Sequence, residues 1–180
     1  MIIGVDVDDV ALDLMGEWLR RYNADHNDFL TKNDIKTWDI FNHVKCGHKI
    51  YDYLRHPDLY DNIQPVEGAV EAIKALRDIG DRIVYITSCV RGPMFDAKWS
   101  ALIRTGLLGE NRVENDYIGA SDKTLIKVDV MIDDKPETIK AIGLRGKLFK
   151  RPWNDGTWTW PKLVQALGGR YAVSQADGER

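Results

Sequence analysis

The chain opens on a short apolar run, Ile2-Ile3-Gly4-Val5, that ends in the carboxylates Asp6, Asp8 and Asp9. A continuous apolar run of this length reads as a strand covered on both faces, as in a parallel sheet. Ala11, Leu14, Met15, Trp18, Leu19 and Tyr22 then recur at spacings of three and four, which predicts an amphipathic helix. Asn23 to Asn33 turns polar and rich in Asn and Asp, a loop signal. From Asp34 to Leu59 the apolar residues, many of them aromatic, keep no sustained period, and short helices are expected. The next convincing strand is Arg82 to Thr87, too distant for one simple crossover. A helical insertion between the two strands is the economical reading.

Beyond Pro65 the periodicity is clean. Val66, Ala69, Val70, Ile73, Leu76 and Ile79 share one helical face, and Gly80 supplies the stop. Ile83-Val84-Tyr85-Ile86 forms a second buried strand ending in Thr87-Ser88. Phe95, Trp99, Leu102, Ile103 and Leu107 mark a helix, Tyr117-Ile118 a brief strand, and Val128 to Ile132 an apolar strand running into Asp133-Asp134. Pro136 suits the first turn of the helix that follows. Lys147 to Phe149 and Pro161 to Leu167 complete the series as strand and helix. Alternation of this kind predicts an α/β fold, a Rossmann-like, mostly parallel sheet with helices on both faces. The expected layout is a core of 1–15 and 65–170, a small helical cap at 16–64 after the first strand, and a flexible tail at 171–180.

Composition narrows the function classes. The 180 residues are 44% hydrophobic and 29% charged, with a formal net charge of -3. That balance offers no basic footprint for a stable nucleic-acid complex or an anionic membrane surface. No apolar run is long enough to span a bilayer, and no signal-peptide pattern opens the chain, so a cytoplasmic location is expected. Cys46 and Cys89 make no disulfide framework. The sequence leaves the oligomeric state open between a monomer and a homodimer.

The chemistry sits at the strand ends. If the strands are parallel, Asp6 and Asp8, Thr87 and Ser88, and Asp133 and Asp134 meet along one edge, with Lys123 in the connection before the last pair. Asp6 and Asp8 are two apart and share a side in extended chain. Carboxylates from two strands make a hard-oxygen site suited to Mg²⁺. Hydroxyls and a lysine are suited to holding a phosphoryl group. An Asp can be phosphorylated as a nucleophile, and a second carboxyl can protonate the leaving oxygen and then activate water.

Asp6-Val7-Asp8-Asp9-Val10, Ile83 to Ser88, Lys123 and Asp133-Asp134 together resemble the four motifs of the haloacid dehalogenase (HAD) phosphohydrolases. Within them, Gln64 to Ala72, Asp122-Lys123-Thr124 with Asp129 to Asp134, and Asp13 to Arg21 resemble the 5'(3')-deoxyribonucleotidases. The resemblance covers most of residues 2–153 and is weak across 23–59. It implies Asp6 as the nucleophile and a metal ligand, and Asp8 as general acid and base with its carbonyl on the metal. Asp133 would complete the metal shell, supported by Asp134. Thr87, Ser88, Lys123 and Lys98 would bind the phosphate. The chain departs from the pattern at Asp9, where these nucleotidases more often carry glycine.

The implied activity is Mg²⁺-dependent hydrolysis of (deoxy)ribonucleoside monophosphates through an aspartyl-phosphate, with a small-molecule nucleotide as the partner. Alternatives are a phosphatase of another monoester, including nucleic-acid 3'-phosphate ends, and a phospho-acceptor signalling domain. The last expects a shorter chain with its acceptor Asp on a middle strand. A base-binding slot is expected at Leu14, Trp38 and Phe41, with Tyr51 and Tyr53 near; plain hydrophobic packing is the competing reading. His43, Cys46 and His48 resemble half a zinc site, without a second half at suitable spacing. Trp153, Trp158 and Trp160 read as packing or rim residues.

Overall fold

The computed structural model describes residues 1–109 and 116–176, with side chains described to residue 169. In chain order the elements are β1 (Ile2–Asp6), α1 (Leu14–His26), α2 (Ala69–Asp78), β2 (Arg82–Thr87), α3 (Pro93–Arg104), β3 (Asp116–Gly119), β4 (Val130–Asp133), α4 (Pro136–Ile142), β5 (Gly146–Leu148) and α5 (Trp160–Ala176). Between α1 and α2 the chain makes only short 3₁₀ turns, at Lys32–Asp34, Ile40–Asn42, Gly47–Arg55 and Pro57–Tyr60.

The five strands form one sheet in the order β3-β2-β1-β4-β5, and every pairing is parallel. All C-terminal strand ends therefore lie on one edge. The chain builds outward from β1 through β2 to β3, then crosses to the other side for β4 and β5. That reversal places a crevice between β1 and β4, where ligands gather in open sheets of this kind. Asp6 and Asp133 end the two strands that flank it.

Alternation along the strands divides the core. Ile3, Val5, Ile83, Tyr85, Val130 and Ile132 pack into one cluster with α2, α3 and α5. Val84, Ile86 and Met131 face the other way, toward Val128 and Ile142. Successive side chains on a strand point to opposite faces, and both faces are covered here, which is why the strands read as unbroken apolar runs.

A separate cluster, Met15, Trp18, Leu19, Tyr22, Ile35, Ile40, Ile50 and Trp153, binds the 3₁₀ turns to α1. The segment that carries those turns leaves and returns at one point. Asp13 N–H donates to the Gln64 carbonyl at 2.9 Å, and Val66 N–H to that of Ala11 at 2.8 Å.

Three boundaries differ from expectation. α1 runs to His26, into the stretch expected to be loop, because its last turn is solvent-facing and carries no apolar signal. It stops at Asn27, which takes a left-handed conformation (φ 46°). α5 begins at Trp160 and continues to Ala176, past Leu167 and into the expected tail; residues 177–180 lie outside the described part. No helix among the described residues is long and apolar enough to cross a membrane.

Candidate active site

Asp6, the last residue of β1, is nearly buried and accepts two contacts on one oxygen. Its own neighbour Val7 donates its N–H to Oδ1 at 2.8 Å, and Lys123 Nζ stands 2.6 Å from the same atom. Oδ2 accepts no hydrogen bond from the described residues. Lys123 also reaches Asp133 Oδ2 at 2.7 Å, so one ammonium bridges the ends of β1 and β4. Asp133 is fully buried, and its Oδ1 takes the Lys135 N–H at 2.8 Å. Asp134 is held by the Trp153 indole N–H at 3.0 Å, and Asn154 donates to its carbonyl at 2.7 Å.

One carboxylate oxygen from each of Asp6, Asp133 and Asp134 lies within 4.8 Å of the other two. Burial pushes the Asp6 carboxyl up to about 7; Lys123 opposes this, while Asp133 and Asp8 add to it. Burial, and then the charges of Asp9, Asp6 and Asp133, drive Asp134 well above the ordinary carboxylate range. For Lys123, burial alone would lower the pKa, but Asp6 and Asp133 outweigh it and the net shift is upward. One ammonium against three buried acids is an incomplete balance. A divalent cation on these hard oxygen donors would complete it, so the residues present fit the metal that the sequence motifs imply.

Asp8 lies apart from that cluster. Its Oδ2 meets Lys98 Nζ at 2.5 Å and its Oδ1 accepts from the Tyr60 hydroxyl at 2.7 Å. Lys98 also donates to Thr87 Oγ1 at 3.0 Å, and Thr87 is fully buried at the end of β2. Burial, with Asp8 beside it, pushes the Tyr60 phenol well above its ordinary value and keeps it a donor. Tyr60 comes from the last 3₁₀ turn before α2, 52 residues from Asp8, and nothing in its local sequence announced the contact.

These groups open on a cavity of about 260 Å³. Its polar end is lined by Asp6, Asp8, Asp9, Ser88, Lys123, Asp133 and Asp134. Leu14, Met15 and Trp18 of α1, with Trp38, Ile40, Tyr51, Leu54 and Trp153, make the apolar walls, and Lys135 and Thr138 also border it. Leu14 and Trp38 are thus where a base slot was expected. Phe41 is not among the lining residues; it stacks on His48 at 3.9 Å and tilts against Tyr51, inside the packing of the 3₁₀ turns. Lys98 and Thr87 stand behind Asp8 rather than on the cavity surface. Tyr51, expected near the slot, does line the cavity whereas Tyr53 does not, and Trp153, read as a packing or rim residue, borders it; Met15, Trp18 and Leu54 were missed as wall residues. A helical period reports that Met15 and Trp18 are covered, not whether by protein or by a ligand.

His43 bonds Thr37 Oγ1 at 2.9 Å, His48 stacks on Phe41, and half-buried Cys46 faces His26 and His56 instead; among the described residues these three do not gather as a metal-holding group. Of the other tryptophans, Trp160 is core and donates to the Val10 carbonyl at 3.1 Å, while Trp158 lies beneath Lys147 Nζ, 5.1 Å from its ring centre.

Comparison with known proteins bears on the fold and on the family. Among solved structures, a hydrolase from Streptococcus pneumoniae superposes with a TM-score of 0.58 at 12% identity, covering 93% of this chain and 97% of that one. A haloacid dehalogenase-like hydrolase from Xanthomonas campestris gives 0.51 at 16% identity, covering 97% and 94%. At those identities the likeness is one of fold. The 5'(3')-deoxyribonucleotidase of Clostridium acetobutylicum is 34% identical over 138 residues, 74% of this chain and 73% of its own length. That of Bacillus subtilis is 27% identical over 153 residues, 85% and 87% of the two chains. A family model described as 5' nucleotidase, deoxy (pyrimidine), cytosolic type C matches residues 1–160. The chain therefore belongs to the 5'(3')-deoxyribonucleotidase family of HAD phosphohydrolases.

Proposed function

We propose that this protein is a Mg²⁺-dependent phosphomonoesterase that hydrolyses deoxyribonucleoside monophosphates to nucleoside and phosphate. The observation that carries the reading is the meeting of Asp6, Lys123 and Asp133 at the polar end of a cavity with apolar, aromatic walls. A phosphate ester held there would place its ionic head on the sheet edge and its base against α1 and the 3₁₀ turns. Segment 16–64 then acts as the cap and roofs the site.

Asp6, Asp133 and Asp134 would hold Mg²⁺, with the Asp8 carbonyl as a further ligand; the ion supplies charge neutralisation that lets an anionic carboxylate approach an anionic ester. Asp6 attacks phosphorus, a phosphorus–oxygen bond forms, and the bond to the nucleoside oxygen breaks. Asp8, as general acid, delivers a proton to that departing oxygen. In the second half Asp8 takes a proton from water, the water oxygen attacks phosphorus, and Asp6 leaves as carboxylate. Lys123 stays charged throughout and offsets the growing negative charge. Ser88, exposed at the cavity, donates to a phosphate oxygen. Lys98 and Tyr60 hold Asp8 between the two steps.

The test is phosphate release measured across deoxy- and ribonucleoside 5'- and 3'-monophosphates and small sugar phosphates, with Mg²⁺ and with excess chelator. Turnover should be fastest on deoxynucleotides and fall to background in chelator. Equal turnover of sugar phosphates, or undiminished turnover in chelator, would overturn the substrate or the metal assignment respectively.

A further inference from the structure

Asp9 occupies a place that ordinary backbone sterics argue against. Its φ is 56°, a left-handed conformation that glycine adopts freely and that a residue with a Cβ adopts only at a steric cost. It is also 7% exposed, so a carboxyl has been put where burial disfavours it. Two unfavourable choices at one position call for a compensating contact, and the structure supplies three. Asp9 N–H donates to the Leu12 carbonyl at 2.7 Å, closing the loop that leaves β1. Its carbonyl accepts from Arg151 Nε at 2.5 Å, two residues before the cavity residue Trp153. Its Oδ1 accepts the Met15 N–H at 2.9 Å in a buried setting.

The last contact is unusual in its origin. Met15 N–H is one of the free donors of the first turn of α1, which the residue at the helix N-cap normally satisfies. Here the N-cap residue is Asp13, and its side chain makes no capping bond. It pairs instead with Lys32 at 2.6 Å. The cap is thus supplied from inside the catalytic loop, one residue beyond Asp8. The same turn begins the apolar wall, because Leu14, Met15 and Trp18 line the cavity.

We propose that Asp9 is a positioning residue: it bolts the base-facing wall of α1 to the loop that carries Asp6 and Asp8, and so sets discrimination between a nucleotide and a small phosphate ester. The discrimination rests on the nucleotidase reading; the bolt itself does not. Asp9→Gly keeps the backbone conformation and removes the acceptor. Asp9→Asn keeps an acceptor and tolerates the left-handed conformation, while removing the charge.

Amide hydrogen exchange at Met15 should speed up about tenfold or more in Asp9→Gly and stay near wild type in Asp9→Asn. The ratio of kcat/KM for a deoxynucleoside monophosphate to that for glycerol phosphate should fall about tenfold in Asp9→Gly and recover in Asp9→Asn. Unchanged exchange at Met15 in Asp9→Gly would overturn the bolt, and so would an Asn variant as fast as the Gly one, which would point to charge rather than to an acceptor. A fall of both substrates by the same factor would overturn the link to discrimination. If the wild type hydrolyses no nucleotide, the substrate reading and the discrimination fail together, and exchange at Met15 still decides the bolt.

Discussion

The two ends of the cavity are built on opposite plans. At the sheet edge, Asp6, Lys123, Asp133 and Asp134 are ionisable groups almost wholly buried: Asp6 and Asp133 end β1 and β4, Asp134 follows β4, and Lys123, on a 3₁₀ turn, is tied to both strand ends by its ammonium. At the other end Trp18, Ile40, Tyr51 and Leu54 are apolar, held on α1 and on 3₁₀ turns, and Trp38 stands 48% exposed at the rim. Backbone bonds within that wall are local, closing single turns such as His43 N–H to the Ile40 carbonyl; a cluster of aromatic and aliphatic contacts fastens the turns to α1, with the Trp18 indole donating to the Ile50 carbonyl at 2.9 Å. The contrast suggests a division of labour. The proposed nucleophile Asp6 and its neighbour Asp133 need placement within a fraction of an ångström and end rigid strands, whereas a wall that selects a flat ring needs shape and can sit partly on irregular chain.

That division is broken most severely by Asp6→Asn. Phosphate release should fall on the order of 10⁴-fold or more, as expected when a covalent nucleophile is lost. The thermal midpoint in the absence of metal should rise, because the variant removes a buried carboxyl from a crowd of like charges. An Asn variant that keeps appreciable turnover would mean that another group attacks phosphorus.

The second largest effect is a dependence of stability on pH and metal, confined to the sheet edge. Asp6 has a folded-state pKa raised to about 7 from an ordinary 3.8. An acid whose pKa is raised on folding binds more protons in the folded state than in the unfolded one between those values. Without metal, stability should therefore be highest below the ordinary carboxylate range and fall as pH rises toward 7. A cation takes the place of the proton, so Mg²⁺ should raise the melting temperature more at pH 8 than at pH 5. An equal increment at both values would show that the buried acids do not form the metal site.

Legibility followed the same division. The end of β2 at Thr87 and the meeting of Asp6 with Asp133 were readable because a parallel strand announces itself as an apolar run, and all such runs end on one edge; Lys123, on a 3₁₀ turn, was legible only from its spacing to Asp133 and the family resemblance. The wall was readable only in part, at Leu14, Trp38 and Tyr51. A 3₁₀ turn of three or four residues is too short to establish a period, so nothing separated Phe41, half-buried against His48 and Tyr51, from Ile40, buried and bordering the cavity. Tyr60 was invisible for another reason. Its partner Asp8 is brought to it only by the return of the chain beside Leu12 and Asp13, a tertiary fact with no local signature. Asp134 read as a support, and one of its carboxylate oxygens falls within the same cluster as one each from Asp6 and Asp133.

The smallest expected effects come from the wall, and two neighbouring aromatics there should part company. Trp38 borders the cavity, half exposed, with Lys135 Nζ 5.7 Å from its ring centre. If a base stacks on it, Trp38→Ala should raise KM for a deoxynucleotide about tenfold, the lower part of the range for stacking on an aromatic side chain, and leave kcat close to wild type. Stability should change little, because much of the ring already faces water. Phe41→Leu should do the reverse. Its ring contacts are with His48 and Tyr51, so the variant should lose about 1 kcal/mol in denaturant unfolding while KM stays near wild type. Measuring both quantities on both variants separates a surface that touches substrate from one that supports it. A rise in KM for Phe41→Leu as large as that for Trp38→Ala would mean that the 3₁₀ segment moves as a unit, and that selection belongs to its packing rather than to the residues at its surface.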